Sequence, residues 1–157
     1  MSGESQGSTV FERIGGEAVL RPIIDDFVVR MVVDPMIGFH FDGVDPAMLA
    51  RREYELSASL LGAKVAYSGR PIRDVHAKHP IFGGQFMRRR QLLLEALKRG
   101  GVEQAVIDEL LGHVDRLRPL VTREQGSSCL GSADVGPLLV AVPGRAATGG
   151  GTTETTG

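Results

Sequence analysis

The sequence predicts an all-α domain, and three observations carry that prediction. Four segments place apolar residues at the three- and four-residue spacing of a helical stripe. No segment shows the alternation and turn spacing of a sheet, and Gly, Pro or Asp residues punctuate the gaps between stripes. Four main helices and two short ones follow, enough to build a bundle.

Residues 1–8, MSGESQGS, are small and polar and read as a disordered leader. The expected domain spans residues 9–121 and begins with FERI, a short helical turn stopped by Gly15 and Gly16. The next helix, Glu17 to Val33, carries Leu20, Ile24, Phe27 and Met31 on one stripe. Pro22 lacks a backbone donor, so this helix is expected either to start near Arg21 or to kink there. Asp34 and Pro35 break it, and MIGFHFDG follows as a compact turn whose cluster Phe39, His40 and Phe41 is expected to be buried.

Asp45 and Pro46 read as N-cap and first position of a helix running to about Leu61. Its stripe of Leu49, Leu56 and Leu60 is interrupted by Glu53. A carboxylate there is costly unless it is paired, sits in a functional pocket, or reaches solvent as the helix rolls, Arg52 being one candidate partner. A further helix spans Gln85 to Arg99, with Phe86, Leu93 and Leu97 inward and a basic outer face, and Gly100 and Gly101 end it. The last helix, Val102 to Leu117, turns Val106, Leu110, Val114 and Leu117 inward and is closed by Pro119. His113 lies beside that stripe and receives no chemical role. Residues 122–157 are dominated by Gly, Ser, Thr and Ala, with one brief apolar run at Pro137 to Val142. They read as a low-complexity, mostly disordered tail.

A chain of 157 residues suffices for one domain with a real core. Its net charge of −1 gives no general attraction to nucleic acid or anionic membrane. The dense basic run Arg88, Arg89 and Arg90 has no aromatic interleaving and reads as a solvated helix face. The single cysteine, Cys129, cannot close an internal disulfide, and no run has the length of a membrane span or the pattern of a secretory signal. A cytoplasmic soluble protein is the expectation.

The candidate chemical centre is Tyr67 to Ile81, YSGRPIRDVHAKHPI, a Gly/Pro-punctuated loop leading to His76 and His79. A His on a short segment between longer helices can offer a ring nitrogen to a buried metal, a haem iron among them. A lone His is more often an ordinary surface or core residue.

Several motifs in order resemble the truncated haemoglobins. They are FERIGG, DDF followed by VDP, FHFDGVD, LLG, YSGRPI, VHAKHPI and the final RLRP, and together they cover about Val10 to Pro119. The likeness is greatest to the first group of that family, and the absence of Trp sets the chain apart from the other two groups. The resemblance implies a truncated 2-on-2 globin fold and a haem b whose iron is held by His76. His79 is the competing ligand, but it directly precedes Pro80, where the backbone is expected to leave helical geometry. The other ring nitrogen of His76 is expected to donate to a backbone carbonyl or to water.

By the same resemblance Phe41 packs on the haem face, Leu49 and Glu53 face the sixth coordination position, and Arg52 approaches a propionate. Phe27, Val28, Tyr67 and Ile81 complete the cofactor-binding set. The chain departs from its relatives at four places. Val28 stands where a Tyr is frequent, Glu53 where a Gln or other neutral residue is common, His40 replaces a usual Phe, and Leu56 with Ser57 replaces an aromatic pair. Oxygen storage and nitric oxide dioxygenation depend on distal donors, which an ionised Glu does not supply.

Three functions stay open. A gas-binding globin would take oxygen, nitric oxide or carbon monoxide and form a stable ferrous oxygen complex. A haem-dependent oxidoreductase of the peroxidase, oxygenase or nitrogen-transforming type would use Glu53 and His40 as acid or base on a small-molecule substrate, with a reductase as partner. A haem sensor, or a globin-like protein without haem, would act through partners instead. A monomer or weak homo-oligomer is expected in each case.

Overall fold

The structure, a computed structural model, describes residues 7–77 and 79–123. The first six residues and everything from residue 124, including Cys129 and the apolar run at Pro137 to Val142, lie outside the described residues. The described chain is helical: α1 (Val10–Ile14), α2 (Glu17–Val33), a single 3-10 turn (Gly38–Phe41), α3 (Pro46–Leu60), α4 (Ile72–Ala77), α5 (Gly83–Arg99) and α6 (Gln104–Val121). Among the described residues the β-type pairing is one isolated bridge between Ile81 and Thr122.

Helix α2 is central, packing against both α3 and α5, while α6 covers α4 and α5. The stripe Leu20, Ile24, Phe27 and Met31 is fully buried at 0 % exposure, as its spacing requires. The inward residues of α6, Val106, Leu110, Val114 and Leu117, are buried too. Caps fix where helices begin. Thr9 Oγ1 accepts from Glu12 N at 3.2 Å while Glu12 Oε2 accepts from Thr9 N at 2.9 Å, and Asp45 Oδ1 accepts from Ala47 N at 3.0 Å.

Pro119 corrects the expected helix end, and at Pro22 the first of the two alternatives, a helix starting near Arg21, is excluded. Helix α2 is continuous from Glu17 through Pro22, and α6 continues past Pro119 to Val121. Pro22 is exposed, so the carbonyl that loses its helical donor faces water, while Leu20 and Ile23 on either side hold the helix to the core. At the other end Val121 continues the buried row from Leu117, and Thr122 N and Oγ1 both donate to Arg118 O, at 2.9 and 2.8 Å. Core burial outweighs one missing backbone bond in each case.

The turn between α2 and α3 is built by Asp34. Its Oδ1 accepts from Met36 N at 2.9 Å and Ile37 N at 3.2 Å, and its carbonyl accepts from Gly38 N at 2.7 Å. A Cβ on Gly38 would stand 2.6 Å from the Val32 carbonyl oxygen, so the 3-10 turn can lie this close to the end of α2 only with glycine there. Arg88 of α5 closes the arrangement, donating from Nε to Asp34 Oδ2 at 2.8 Å. Burial raises the Asp34 carboxyl, but the Arg88 bond and charge and the two backbone donors outweigh it and hold the group below its ordinary value. Asp34→Ala is expected to cost about 2 kcal/mol at neutral pH in urea unfolding. Because the folded value is the depressed one, the deficit should persist down to the ordinary carboxylate range and close as pH falls through the lower folded value. A deficit that closes above that range would exclude the assignment.

The aromatic cluster is less buried than expected. Phe39 is 56 % exposed, whereas His40 and Phe41 are half-buried, because a 3-10 turn sends successive side chains in different directions.

Candidate functional site

A mainly apolar cavity opens between α3, α5, α6 and the α4 segment. Leu49, Glu53 and Leu56 of α3 form one wall, and Phe86 and Arg89 of α5 with Val114 and Leu117 of α6 form another. His40 and Phe41 come from the Asp34-built turn, and His76, His79 and Ile81 from the loop segment.

That loop is tied down by a residue the sequence reading passed over. Glu55 is buried, and its Oε2 accepts from Ser68 N and Ser68 Oγ, both at 2.8 Å, while Oε1 accepts from Arg51 Nε at 3.0 Å. Burial raises its carboxyl, and the Ser68 and Arg51 donors together bring it below its ordinary value. The start of the segment leading to His76 is thereby pinned to α3.

His76 is 7 % exposed, and its Nδ1 is buried with no hydrogen-bond partner among the described residues. Burial first, then the charges of Arg89, His40 and His79, push its pKa down to about 4, so the ring is neutral at pH 7, the state in which imidazole binds metals. His79 borders the same cavity but is exposed, in the bend after α4 has ended at Ala77. His40 contributes a second buried ring nitrogen, Nε2, also without a partner among the described residues, and its ring lies 4.1 Å from that of Phe39.

Glu53 neither rolls outward nor pairs with Arg52. It is 4 % exposed, and Arg89 Nη2 donates to its Oε2 at 2.5 Å. This overturns the reading of the basic run as a solvated face. Arg88 reaches Asp34 at the end of α2, Arg89 reaches Glu53 on α3, and Arg90 makes a two-pronged contact with Asp115 on α6 at 2.6 and 2.9 Å. Arg89 also lies 5.2 Å over the Phe27 ring. A signal for it was present, because Arg89 falls between Phe86 and Leu93 on the α5 stripe as Glu53 falls between Leu49 and Leu56 on α3.

Of the residues singled out in the sequence, the structure gathers His40, Phe41, Leu49, Glu53, His76 and Ile81 around the cavity. Phe27 and Val28 lie in the core outside the lining, Tyr67 packs against that core half-buried, and Arg52 is half-buried on α3, also outside the lining. No described helix is long and apolar enough to cross a membrane.

Comparison with known proteins gives a consistent answer. The family model of the bacterial-like globins matches residues 9–123. The group 1 truncated haemoglobin GlbN of Mycolicibacterium paratuberculosis is 29 % identical over 124 residues, covering 78 % of this chain and 91 % of the relative. GlbN of Synechocystis is 29 % identical over 107 residues, covering 66 % and 86 %. The truncated haemoglobin of Tetrahymena pyriformis in its Fe(III) form superposes with a TM-score of 0.70 at 22 % identity, over 74 % of this chain and all of the other. With its helices in this arrangement and the family model spanning nearly every described residue, the chain belongs to the bacterial-like globins and has the truncated-haemoglobin fold.

Proposed function

We propose that this truncated globin would hold haem b in the cavity through His76 and bind small ligands such as oxygen or nitric oxide at its iron. The observation that carries this is His76 itself, a neutral buried imidazole with an unpartnered ring nitrogen at an otherwise mainly apolar cavity. Buried polar atoms normally find partners, so an orphaned imidazole at a cavity is the mark of a missing ligand. Phe41, Leu49, Leu56 and Phe86 offer the apolar surface that a porphyrin needs. Bound haem would supply the redox-active iron; the chain supplies orientation, water exclusion and the polar groups beside the ligand. The exposed His79 at the cavity is a basic group available to a propionate, and the family likeness offers Arg52 as another.

A second reading, a haem-dependent oxidoreductase, is favoured by the buried pair of Glu53 and Arg89, both of which line the cavity. Absorption spectra of haem-reconstituted protein in the ferric, ferrous and oxygenated states decide between them. Haem uptake with a long-lived oxygen complex is the expected outcome of gas binding, and uptake with immediate oxidation is that of the oxidoreductase. Absence of a Soret band excludes both.

A further inference from the structure

Glu53 and Arg89 are opposite charges set into the apolar stripes of α3 and α5, in contact with each other at the cavity lining. Leucine at both positions would continue those stripes, and a buried ion pair is in general no more stable than apolar residues of similar volume. The fold therefore does not require the pair, and its position at the cavity wall gives it another use.

Resting on the haem reading above, we infer that Glu53 and Arg89 form a binding site for small weak acids, HX, which are split as they bind: Glu53 takes the proton and Arg89 holds the anion. The low-dielectric wall dictates the order of events. A bare anion entering the cavity meets the Glu53 carboxylate and is repelled, whereas neutral HX enters without that cost. The X–H bond breaks, its proton forms an O–H bond on Glu53, and the electron pair stays on X⁻. Protonation of Glu53 frees Arg89 from its partner's charge, and the guanidinium turns its N–H donors to X⁻. The net charge of the three groups is zero before and after. The other titratable groups at the cavity, His40 from the 3-10 turn with His76 and His79 from the α4 segment, come from other elements than the pair. Hydrazoic acid and nitrous acid, which are about as acidic as a carboxylic acid, belong to the ligand class, and diatomic gases, having no proton to give, do not.

The test uses ferric haem-reconstituted full-length protein titrated with azide near neutral pH, in weakly buffered solution containing a pH indicator. Azide is an anion in bulk water, so binding as HX takes up about one proton per azide bound. Glu53→Gln, which keeps shape and loses the base, should bind azide without that uptake. Arg89→Gln should weaken azide by at least about tenfold. Azide binding to wild type without proton uptake overturns the inference, as does equal azide affinity in wild type and Arg89→Gln. Should Arg89→Gln fail to retain haem, the proton count in wild type against Glu53→Gln decides alone. Failure of the haem reading is seen separately, as a missing Soret band before any azide is added.

Discussion

Replacing His76 with glycine is expected to abolish the haem spectrum of the wild-type protein, and added imidazole to restore it. His76 is buried, so glycine leaves a cavity shaped for the lost ring, open to a neutral imidazole that can reach the same ligand position. His79→Ala should leave the spectrum unchanged, because His79 stands outside α4 and in solvent. A reversal of these two outcomes would move the iron ligand to His79. The same ring governs acid stability of the haem-free protein. Its folded pKa of about 4 lies below the 6.5 of an unperturbed histidine, so the unfolded chain binds the proton more readily. The stability is fully present above pH 6.5 and is lost as pH falls toward 4, about 3 kcal/mol in all. Urea unfolding of the haem-free protein between those limits should show that slope, and the glycine variant should lack its share. A flat profile in wild type would mean that the ring is hydrated in the folded state.

The helical stripes were legible because they obey one local rule, the 3.6-residue period, and the burial of Leu20, Ile24, Phe27 and Met31 follows it without exception. The caps at Thr9 and Asp45 are likewise local. What the sequence hid is what depends on a second helix. Arg88, Arg89 and Arg90 look like one charged face when read along α5, yet each meets a different partner brought near only by packing. Pro119 was read as a helix limit, and Pro22 as a limit or a kink, because propensity is local, while the burial that carries both helices past them is tertiary. His76 was singled out by its surroundings in sequence and by family likeness, but its unpartnered ring nitrogen became visible only once the cavity had walls.

Arg89→Ala is expected to lower folding stability by about 3–5 kcal/mol, since it leaves the Glu53 carboxylate buried without its donor. The contact with Phe27, 5.2 Å from the guanidinium to the ring centre, is lost as well. Glu53→Leu should cost less, because the Arg89 side chain is 20 % exposed and can move its charge toward water. The informative variant is the double one, Glu53→Leu with Arg89→Leu, which continues the Leu49–Leu56 stripe on α3 and the Phe86–Leu93 stripe on α5. It should recover most of the loss or exceed wild type, so the coupling measured by the double-mutant cycle, closed with Arg89→Leu as the matching single variant, will be large. Urea midpoints at unchanged m-value report all five proteins on one scale. An Arg89→Ala cost below about 1 kcal/mol would mean that water already screens the pair, and a cavity wall without a real charge constraint could not select neutral acids over anions. A double-leucine variant as stable as wild type would have the opposite meaning: the fold has no need of the two charges, and what they do must be done to whatever enters the cavity.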